Sequence, residues 1–127
     1  MTESAPAPGC RIGSVGGLRV VTPPAEIDLA NAGQLQEALE SAGPEDATIV
    51  VDMTANRFCD SSGISVLVWA HKRARAGGGE IRLVMGGATL HRVFKVTGLD
   101  RVFRIFDSLA DAIAAKPPAS GPAGEPA

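Results

Sequence analysis

Short apolar runs alternate with segments of helical periodicity along most of this chain. Residues 18–22 (LRVVT) follow a Gly-Gly turn signal and are predicted to pair with residues 10–15 as a β-hairpin. In residues 31–43, the apolar residues recur at helical spacing and predict an amphipathic helix that buries Leu35, Ala38, Leu39 and Ala42. Residues 48–52 (TIVVD) are a continuous, mostly β-branched run, typical of a central strand that is buried on both faces.

The second half of the chain repeats this alternation. Residues 64–75 begin with a β-branched run that a strand would also tolerate, but the run continues without Gly or Pro to a basic end, which favours a helix. Residues 80–85 predict a strand, residues 88–98 a helix and residues 102–106 a last strand, after which Ser108 caps a final helix. This order predicts an α/β fold in which helices pack on a sheet.

Composition and charge are those of a soluble, single-domain protein. The 127 residues fit one domain, and 45% hydrophobic and 20% charged residues are close to globular averages. The formal net charge of -2 disfavours direct binding to nucleic acid or to an anionic membrane. The longest apolar stretch, residues 64–70, is far shorter than the roughly 18 residues needed to cross a bilayer.

The two ends of the chain differ in composition from its middle. Residues 1–9 and 116–127 are rich in Pro, Gly and Ala and offer little apolar surface to bury, so they are predicted to be disordered tails around a domain at residues 10–115. The first residues show no signal-peptide pattern, and Cys10 and Cys59 are far apart in sequence. We therefore expect a cytoplasmic protein with free thiols.

The sequence Asp60-Ser61-Ser62-Gly63 lies between a predicted strand and a predicted helix. Asp or Ser at this place caps the first-turn amides of the helix, an effect of about 1 kcal/mol. The same place suits a phosphate, because the first-turn amides and the helix dipole attract anions. A phosphoserine would add about 1.5 to 2 negative charges beside Asp60 and change what the surface binds. Capping and a phosphorylation switch both remain open, and position alone does not separate the two serines.

The sequence gives less support to catalysis at Ser61 or Ser62 and to a metal site elsewhere in the chain. The Gly-x-Ser-x-Gly elbow of a serine hydrolase is absent around Ser61 and Ser62, and His71 and His91 are more typical of ordinary surface or partly buried residues. The cysteines and histidines lack the short spacing of zinc ligands, and residues 77–79 lack the Lys-Ser/Thr of a phosphate-binding loop. The sequence therefore predicts no catalytic group, no metal and no cofactor, and a small serine hydrolase is the enzymatic alternative.

The predicted helix at residues 64–75 carries two apolar stripes. One consists of Ile64, Leu67, Val68 and His71, and the other of Val66, Trp69, Ala70 and Arg73. If the first stripe faces the sheet, Val66 and Trp69 are partly exposed; alternatively, a neighbouring helix covers both stripes. An exposed Trp beside an Arg is typical of a partner-binding surface.

Three spaced motifs together resemble the anti-sigma factor antagonists (anti-anti-sigma factors), which are built on the STAS domain. The motifs are AEID at residues 25–28, IVVDM followed by FCDSSGI at residues 58–64, and FKVTGLDRVFRIFDS at residues 94–108. The resemblance covers roughly residues 11–113. It implies a mixed β-sheet of about five strands with about four helices packed mainly on one face.

The resemblance also implies a regulatory protein rather than an enzyme. In that family, an anti-sigma factor with serine kinase activity phosphorylates the first hydroxyl after the Asp, which is Ser61 here, with Ser62 as the alternative. The unphosphorylated protein would bind this kinase and free a sigma factor, and a serine phosphatase would reset the site. The ATP would be held by the kinase, and the protein would need no cofactor of its own.

The partner-binding residues that follow from the motifs and the helix stripe surround this serine. The family's Glu-hydrophobic-Asp loop maps to residues 26–28, with Asp28 expected near the phosphorylation site. The predicted partner surface comprises Glu26, Asp28, Asp60, Ser61, Ser62, Gly63, Val66, Trp69 and Arg73. The alternative is a STAS module that is not phosphorylated and serves a transporter or a stress-signalling assembly, and a weak homodimer is compatible with either.

Overall fold

A computed structural model describes residues 9–44 and 47–118 of the chain. The predicted hairpin is present as strands β1 (Arg11–Val15) and β2 (Leu18–Thr22), which pair in antiparallel fashion. Gly16 and Gly17 connect them with φ angles of 59° and 85°. Two successive residues with positive φ are the geometry that a two-residue hairpin turn requires, which explains the Gly-Gly pair.

The elements after the hairpin alternate largely as the sequence predicts. In chain order they are β3 (Glu26–Ile27), α1 (Ala32–Ala42), β4 (Ile49–Asp52), β5 (Phe58–Cys59), α2 (Ser61–Ala76), β6 (Ile81–Val84), α3 (Ala88–Val96), a 3-10 turn (Leu99–Arg101), β7 (Arg104–Phe106) and α4 (Leu109–Ala114). The hydrophobic pattern does not predict β3 and β5. Across residues 9–44 and 47–118, no helix has the length and apolar character needed to cross a membrane.

Five of the strands form one mixed sheet in the order β1-β2-β4-β6-β7. The β1–β2 pair is antiparallel, whereas β2–β4, β4–β6 and β6–β7 are parallel. The strand β4 lies at the centre, as its continuous apolar run predicts. Its residues Ile49, Val50 and Val51 are buried, because both faces of the sheet are covered.

Three helices cover one face of the sheet and the fourth covers the other. Val51 belongs to the larger core, which also contains buried residues of α1, α2 and α3. Its neighbour Val50 belongs to a smaller cluster with Ala112 of α4, because successive side chains of a strand point to opposite faces. The predicted arrangement of helices mainly on one face is confirmed.

The last strand is shorter than the sequence predicts. It begins at Arg104 rather than at residue 102, because the preceding segment turns before it extends. Gly98 has a φ of 80° and ends α3, and the amide of Phe103 still donates to the carbonyl of Leu99 at 3.1 Å. Only after this turn can the chain pair with β6.

A buried ion-pair network fixes the end of the domain. Arg82 and Glu80 are only 3% and 1% exposed, and Nε of Arg82 donates to Oε2 of Glu80 at 2.8 Å. Arg82 also donates to the carbonyls of Ala112 and Lys116, and Arg104 donates to Glu80 and to the same Lys116 carbonyl. The contacts therefore reach one residue beyond the predicted boundary at 115. Most of the two predicted tails, residues 1–8 and 119–127, lies outside the described residues.

Candidate functional site

A small two-stranded sheet brings the AEID and FCDSSGI segments together. The strand β3 pairs in parallel with β5, so that Ile27 lies opposite Cys59. One residue further on, the amide of Asp60 donates to the carbonyl of Ile27 at 3.1 Å. Because the two strands are parallel, Asp28 and Asp60 follow them at the same end of the small sheet. The fold thus brings together the two acidic positions that the sequence analysis assigns to one surface.

The loop that carries Asp28 is held by its own side chains. The Asp28 carboxylate accepts a hydrogen bond from the amide of Ala30 at 3.0 Å, and the Asp28 amide donates to Oδ1 of Asn31 at 2.9 Å. The Asn31 side chain in turn donates to the carbonyl of Glu26 at 2.9 Å. The Asp28 carbonyl accepts from the amides of Asn31 and Ala32, where α1 begins. This loop is therefore preorganised by hydrogen bonds across its whole length.

Asp60 is the cap of α2. Its Oδ1 accepts hydrogen bonds from the amides of Ser62 at 2.8 Å and Gly63 at 3.3 Å, and its backbone is extended, as a capping residue requires. Ser61 is the first residue of the helix and is exposed, whereas Ser62 is half-buried. The capping role therefore belongs to Asp60, and the Ser61 side chain faces solvent at the start of the helix.

This cap changes what a phosphate on Ser61 would meet. From the sequence, a phosphoserine is expected to gain contacts with the first-turn amides. In the unmodified protein, the amides of Ser62 and Gly63 already donate to the Asp60 carboxylate. Ser61 directly follows this carboxylate, so any negative charge added to Ser61 would lie beside Asp60.

Gly63 lies beneath the site rather than on its surface. It is buried, and a Cβ atom at this position would come within 2.5 Å of Cγ2 of Ile27 and 2.7 Å of Sγ of Cys59. Glycine thus lets the first turn of α2 rest directly on β3 and β5. Burial, with a smaller contribution from the Asp60 charge, raises the pKa of the Cys59 thiol to about 12, so this thiol stays protonated. Gly63 positions the surface but presents no side chain to a partner.

The second stripe of α2 is only partly accessible. Val66 is 9% exposed and belongs to the main core, so its expected place on an exposed partner surface is wrong. The physical reason is that α1 packs against α2 and covers this residue. Trp69 and Arg73 are half-buried, and the Arg73 guanidinium carbon lies 4.6 Å from the centroid of the Trp69 ring. Both side chains are therefore partly accessible on α2.

Two exposed apolar side chains flank the acidic positions. Leu29, which follows Asp28, is 79% exposed, and Phe58 in β5 is 50% exposed. Phe58 lies opposite Glu26 in the β3–β5 register. The sequence predicts neither residue as part of the site. In the structure, Phe58 is exposed and the next residue, Cys59, is buried, because successive side chains of a strand point to opposite faces. We call the surface formed by Glu26, Asp28, Leu29, Phe58, Asp60 and Ser61 the switch face.

His71 does not form a hydrolase site with Ser61, and His91 has other polar neighbours. His71 is buried, and its Nδ1 accepts the amide of Ile81 at 3.1 Å. It lies ten residues along α2 from Ser61, about 15 Å at the helical rise of 1.5 Å per residue. His91 is in α3, where its Nε2 lies 3.0 Å from the Met85 carbonyl oxygen and 3.7 Å from Oδ1 of Asp107. Burial also lowers the pKa of His71, against a smaller opposing effect of Glu80.

The sequence of this chain is similar to those of several known proteins. The family model of the STAS domain matches residues 11–112. The anti-sigma-F factor antagonist RsfB of Mycobacterium tuberculosis is 31% identical over 100 residues, which cover 76% of this chain and 80% of that protein. The anti-sigma-B factor antagonist of Listeria monocytogenes is 33% identical over 81 residues, which cover 63% of this chain and 71% of that protein.

A solved structure shows the same architecture. The crystal structure of an anti-sigma factor antagonist from Mycobacterium paratuberculosis matches with a TM-score of 0.73 and 26% sequence identity. The match covers 86% of this chain and 96% of that structure. The mixed sheet with helices mainly on one face is therefore the fold that this group shares.

Proposed function

This chain belongs to the anti-sigma factor antagonists of the STAS domain family, and we propose that its switch face binds an anti-sigma factor that is also a serine kinase. The unphosphorylated protein holds this partner and thereby frees a sigma factor. Phosphorylation of Ser61 by the same partner ends the complex. A serine phosphatase removes the phosphate and restores binding.

The observation that carries this proposal is the position of Ser61. It is the exposed first residue of α2, directly after the capping Asp60, and the hydrogen bond between Asp60 and Ile27 brings the Asp28 loop to the same edge. A kinase can reach a hydroxyl in this place without unfolding the domain. A surface that contains the hydroxyl also contains the acidic positions that a docked partner would contact.

Charge supplies the mechanism of the switch. Asp28 and Asp60 place two carboxylates on the switch face, where Glu26 is paired with Arg57 at 3.5 Å, and a phosphate would add about 1.5 to 2 further negative charges. Because Asp60 occupies the amides of Ser62 and Gly63, these donors do not neutralise the phosphate. This switch requires that the docked partner place an acidic group opposite Ser61. Like charges that meet across an interface cost several kcal/mol, and about 2.7 kcal/mol already weakens binding about a hundredfold.

Burial favours Ser61 over Ser62 as the modified residue. Ser62 is half-buried, and its amide is held by Asp60 at 2.8 Å, so its backbone is fixed within the first turn. The Ser61 hydroxyl is therefore the more accessible of the two, because Ser61 is exposed. The proposal is therefore specific to one of two adjacent serines.

The apolar residues of the switch face supply contact area. Leu29 and Phe58 expose apolar surface on either side of the acidic positions, and Trp69 with Arg73 extends it along α2. Aromatic and arginine side chains are enriched among the residues that dominate binding energy at interfaces. The protein supplies this surface and one hydroxyl, while the kinase supplies ATP and the catalytic groups in the cytoplasm.

The test is phosphosite mapping with a matched pair of serine variants. The anti-sigma kinase and ATP are incubated with the wild type, with Ser61→Ala and with Ser62→Ala, and the products are analysed by mass spectrometry. We expect one phosphate on Ser61 in the wild type and in Ser62→Ala, and none in Ser61→Ala. Phosphate on Ser62 in the wild type would contradict the assignment. A protein that is never modified would instead favour the accessory-module alternative.

A further inference from the structure

A second surface lies at the β7 edge of the sheet, apart from the switch face. The strand β7 ends the sheet order, with β6 as its neighbour, and α3 is the crossover helix that connects these two strands. Side chains of α3 and β7 border an open cleft of about 730 Å³. We propose that this cleft, the β7 groove, binds an acidic segment of a partner protein that adds to β7 as an extended strand.

The backbone of β7 is arranged for strand addition. Its residues Arg104 and Phe106 turn their backbone groups toward β6, and the Phe106 carbonyl accepts the amide of Met85 at 3.0 Å. Backbone groups of successive residues alternate between the two sides of a strand, so the amide and carbonyl of Ile105 point away from β6. An open strand edge beside a helix is the geometry in which extended peptides add to a sheet.

The charge of the groove selects the chemistry of the occupant. Arg92 and Lys95 line its α3 side and are exposed, and neither makes an ion pair within residues 9–44 and 47–118. Arg104 also lines the groove but is paired with Glu80, and Asp100 is the carboxylate of the lining set. The groove is therefore locally cationic on a chain of net charge -2. An acidic peptide complements it, whereas a second copy of the same groove would bring like charges together.

The alternation of side chains in a strand sets the residue pattern of the occupant. In an added strand, alternate side chains point toward the same face. A segment with an acidic residue at every second position therefore presents its carboxylates to Arg92 and Lys95 while its backbone pairs with Ile105. A nucleic acid has phosphates for the two cations but lacks the regularly spaced amides and carbonyls that pair with a strand.

The test uses a defined probe, a fluorescein-labelled eight-residue peptide of alternating Glu and Val, in a fluorescence anisotropy titration against the whole chain. Two further peptides serve as controls: one has Lys in place of Glu, and one carries N-methyl groups on the amides of one edge. We expect the Lys peptide and the N-methylated peptide each to bind at least about tenfold more weakly. Equal binding of the N-methylated peptide would overturn strand addition.

Variants of the protein locate the site. Arg92→Glu should weaken binding of the acidic peptide by about tenfold, whereas Arg11→Glu, on the opposite edge strand β1, should not change it. Amide hydrogen exchange should show new protection at Ile105 on binding. Protection at β1 instead, an unchanged affinity in Arg92→Glu, or tighter binding of a single-stranded oligonucleotide would each contradict the proposal. Ser61→Asp should bind the probe as the wild type does, because the β7 groove shares no residue with the switch face.

Discussion

The amide of Asp60 donates a hydrogen bond to the carbonyl of Ile27 at 3.1 Å, and this bond joins the two loops of the switch face. It continues the β3–β5 pairing by one residue, at the point where α2 begins. The cap of the helix and the Asp28 loop are therefore positioned by the same short sheet. A change that separates β3 from α2 should disturb both.

Replacement of Gly63 by Ala is the most direct way to separate them. The added Cβ would lie 2.5 Å from Cγ2 of Ile27 and 2.7 Å from Sγ of Cys59, so the helix or the sheet must shift. We expect the free energy of unfolding to fall by about 1 to 3 kcal/mol, the usual cost of overpacking. Urea denaturation measures this change.

Gly33→Ala is the matched control for that substitution. Gly33 is also within a helix, α1, but a Cβ atom there meets nothing within 4 Å. Alanine has a higher helix propensity than glycine, so this variant should gain about 0.5 to 1 kcal/mol. If both variants lose the same stability, close packing of α2 on β3 is not the reason for the glycine at position 63.

Two substitutions of Asp60 separate its role as a cap from its charge. Asp60→Ala removes the acceptor for the amides of Ser62 and Gly63 and should lower the free energy of unfolding by about 1 kcal/mol. Asp60→Asn keeps an acceptor oxygen and should cost less. Phosphorylation of Ser61 should destabilise the wild type more than Asp60→Asn, because only the wild type places a carboxylate beside the phosphate. Thermal melts of both proteins, with and without phosphate on Ser61, measure this loss of stability. An equal loss in the wild type and in Asp60→Asn would exclude repulsion by Asp60.

Leu29→Ser tests the apolar part of the switch face. Leu29 is 79% exposed, so its replacement should change the stability of the domain by no more than about 0.5 kcal/mol. Binding of the anti-sigma factor should weaken about tenfold, as expected when an interface contact worth over 1 kcal/mol is lost. Val15→Ser, at an exposed valine of β1, is the control and should bind normally. Calorimetric titration measures the affinity of the anti-sigma factor for the wild type and the two variants. Equal affinity of Leu29→Ser and Val15→Ser would show that Leu29 is not part of the interface.

His71 should make the stability of the domain depend on pH. Burial lowers its pKa in the folded state, so the unfolded chain binds the proton more readily. The contribution of neutral His71 to the free energy of unfolding is fully present above the pKa of the unfolded state, about 6.5. It falls as the pH drops toward the pKa of the folded state, with a slope of up to about 1.4 kcal/mol per pH unit. His71→Asn can retain an acceptor for the Ile81 amide but does not titrate, and it should lose this slope. His91→Asn should retain it in urea denaturation between pH 7 and 5.

Much of the fold could be predicted because its elements have strong local signals. The helix α1 has buried residues at the predicted positions Leu35, Ala38, Leu39 and Ala42, and the apolar run at β4 marks the centre of the sheet. The two-residue strands β3 and β5 have no such signal, since a period of two cannot be recognised over two residues. The burial of the Glu80–Arg82 pair could not be predicted either. Charged residues in a strand are usually exposed to solvent, and the sequence does not show that α4 covers these two.

The site was predictable in outline but not in the role of each residue. The motifs place Asp28 and Asp60 together, yet only the packing of α1 on α2 shows that Val66 is covered. Only the geometry of Gly63 shows that it lies beneath the surface. The exposure of Leu29 could not be predicted, because leucine is usually buried and a loop sequence has no periodicity that shows which side chains face solvent.

The most direct test of the account is the affinity of the anti-sigma factor for two forms of this protein, unmodified and phosphorylated at Ser61. Isothermal titration calorimetry at matched ionic strength measures both dissociation constants, with protein phosphorylated at Ser62 as a positional control. We predict that a phosphate on Ser61 weakens binding by about a hundredfold or more. Equal affinity of the unmodified and the Ser61-phosphorylated protein would contradict the account.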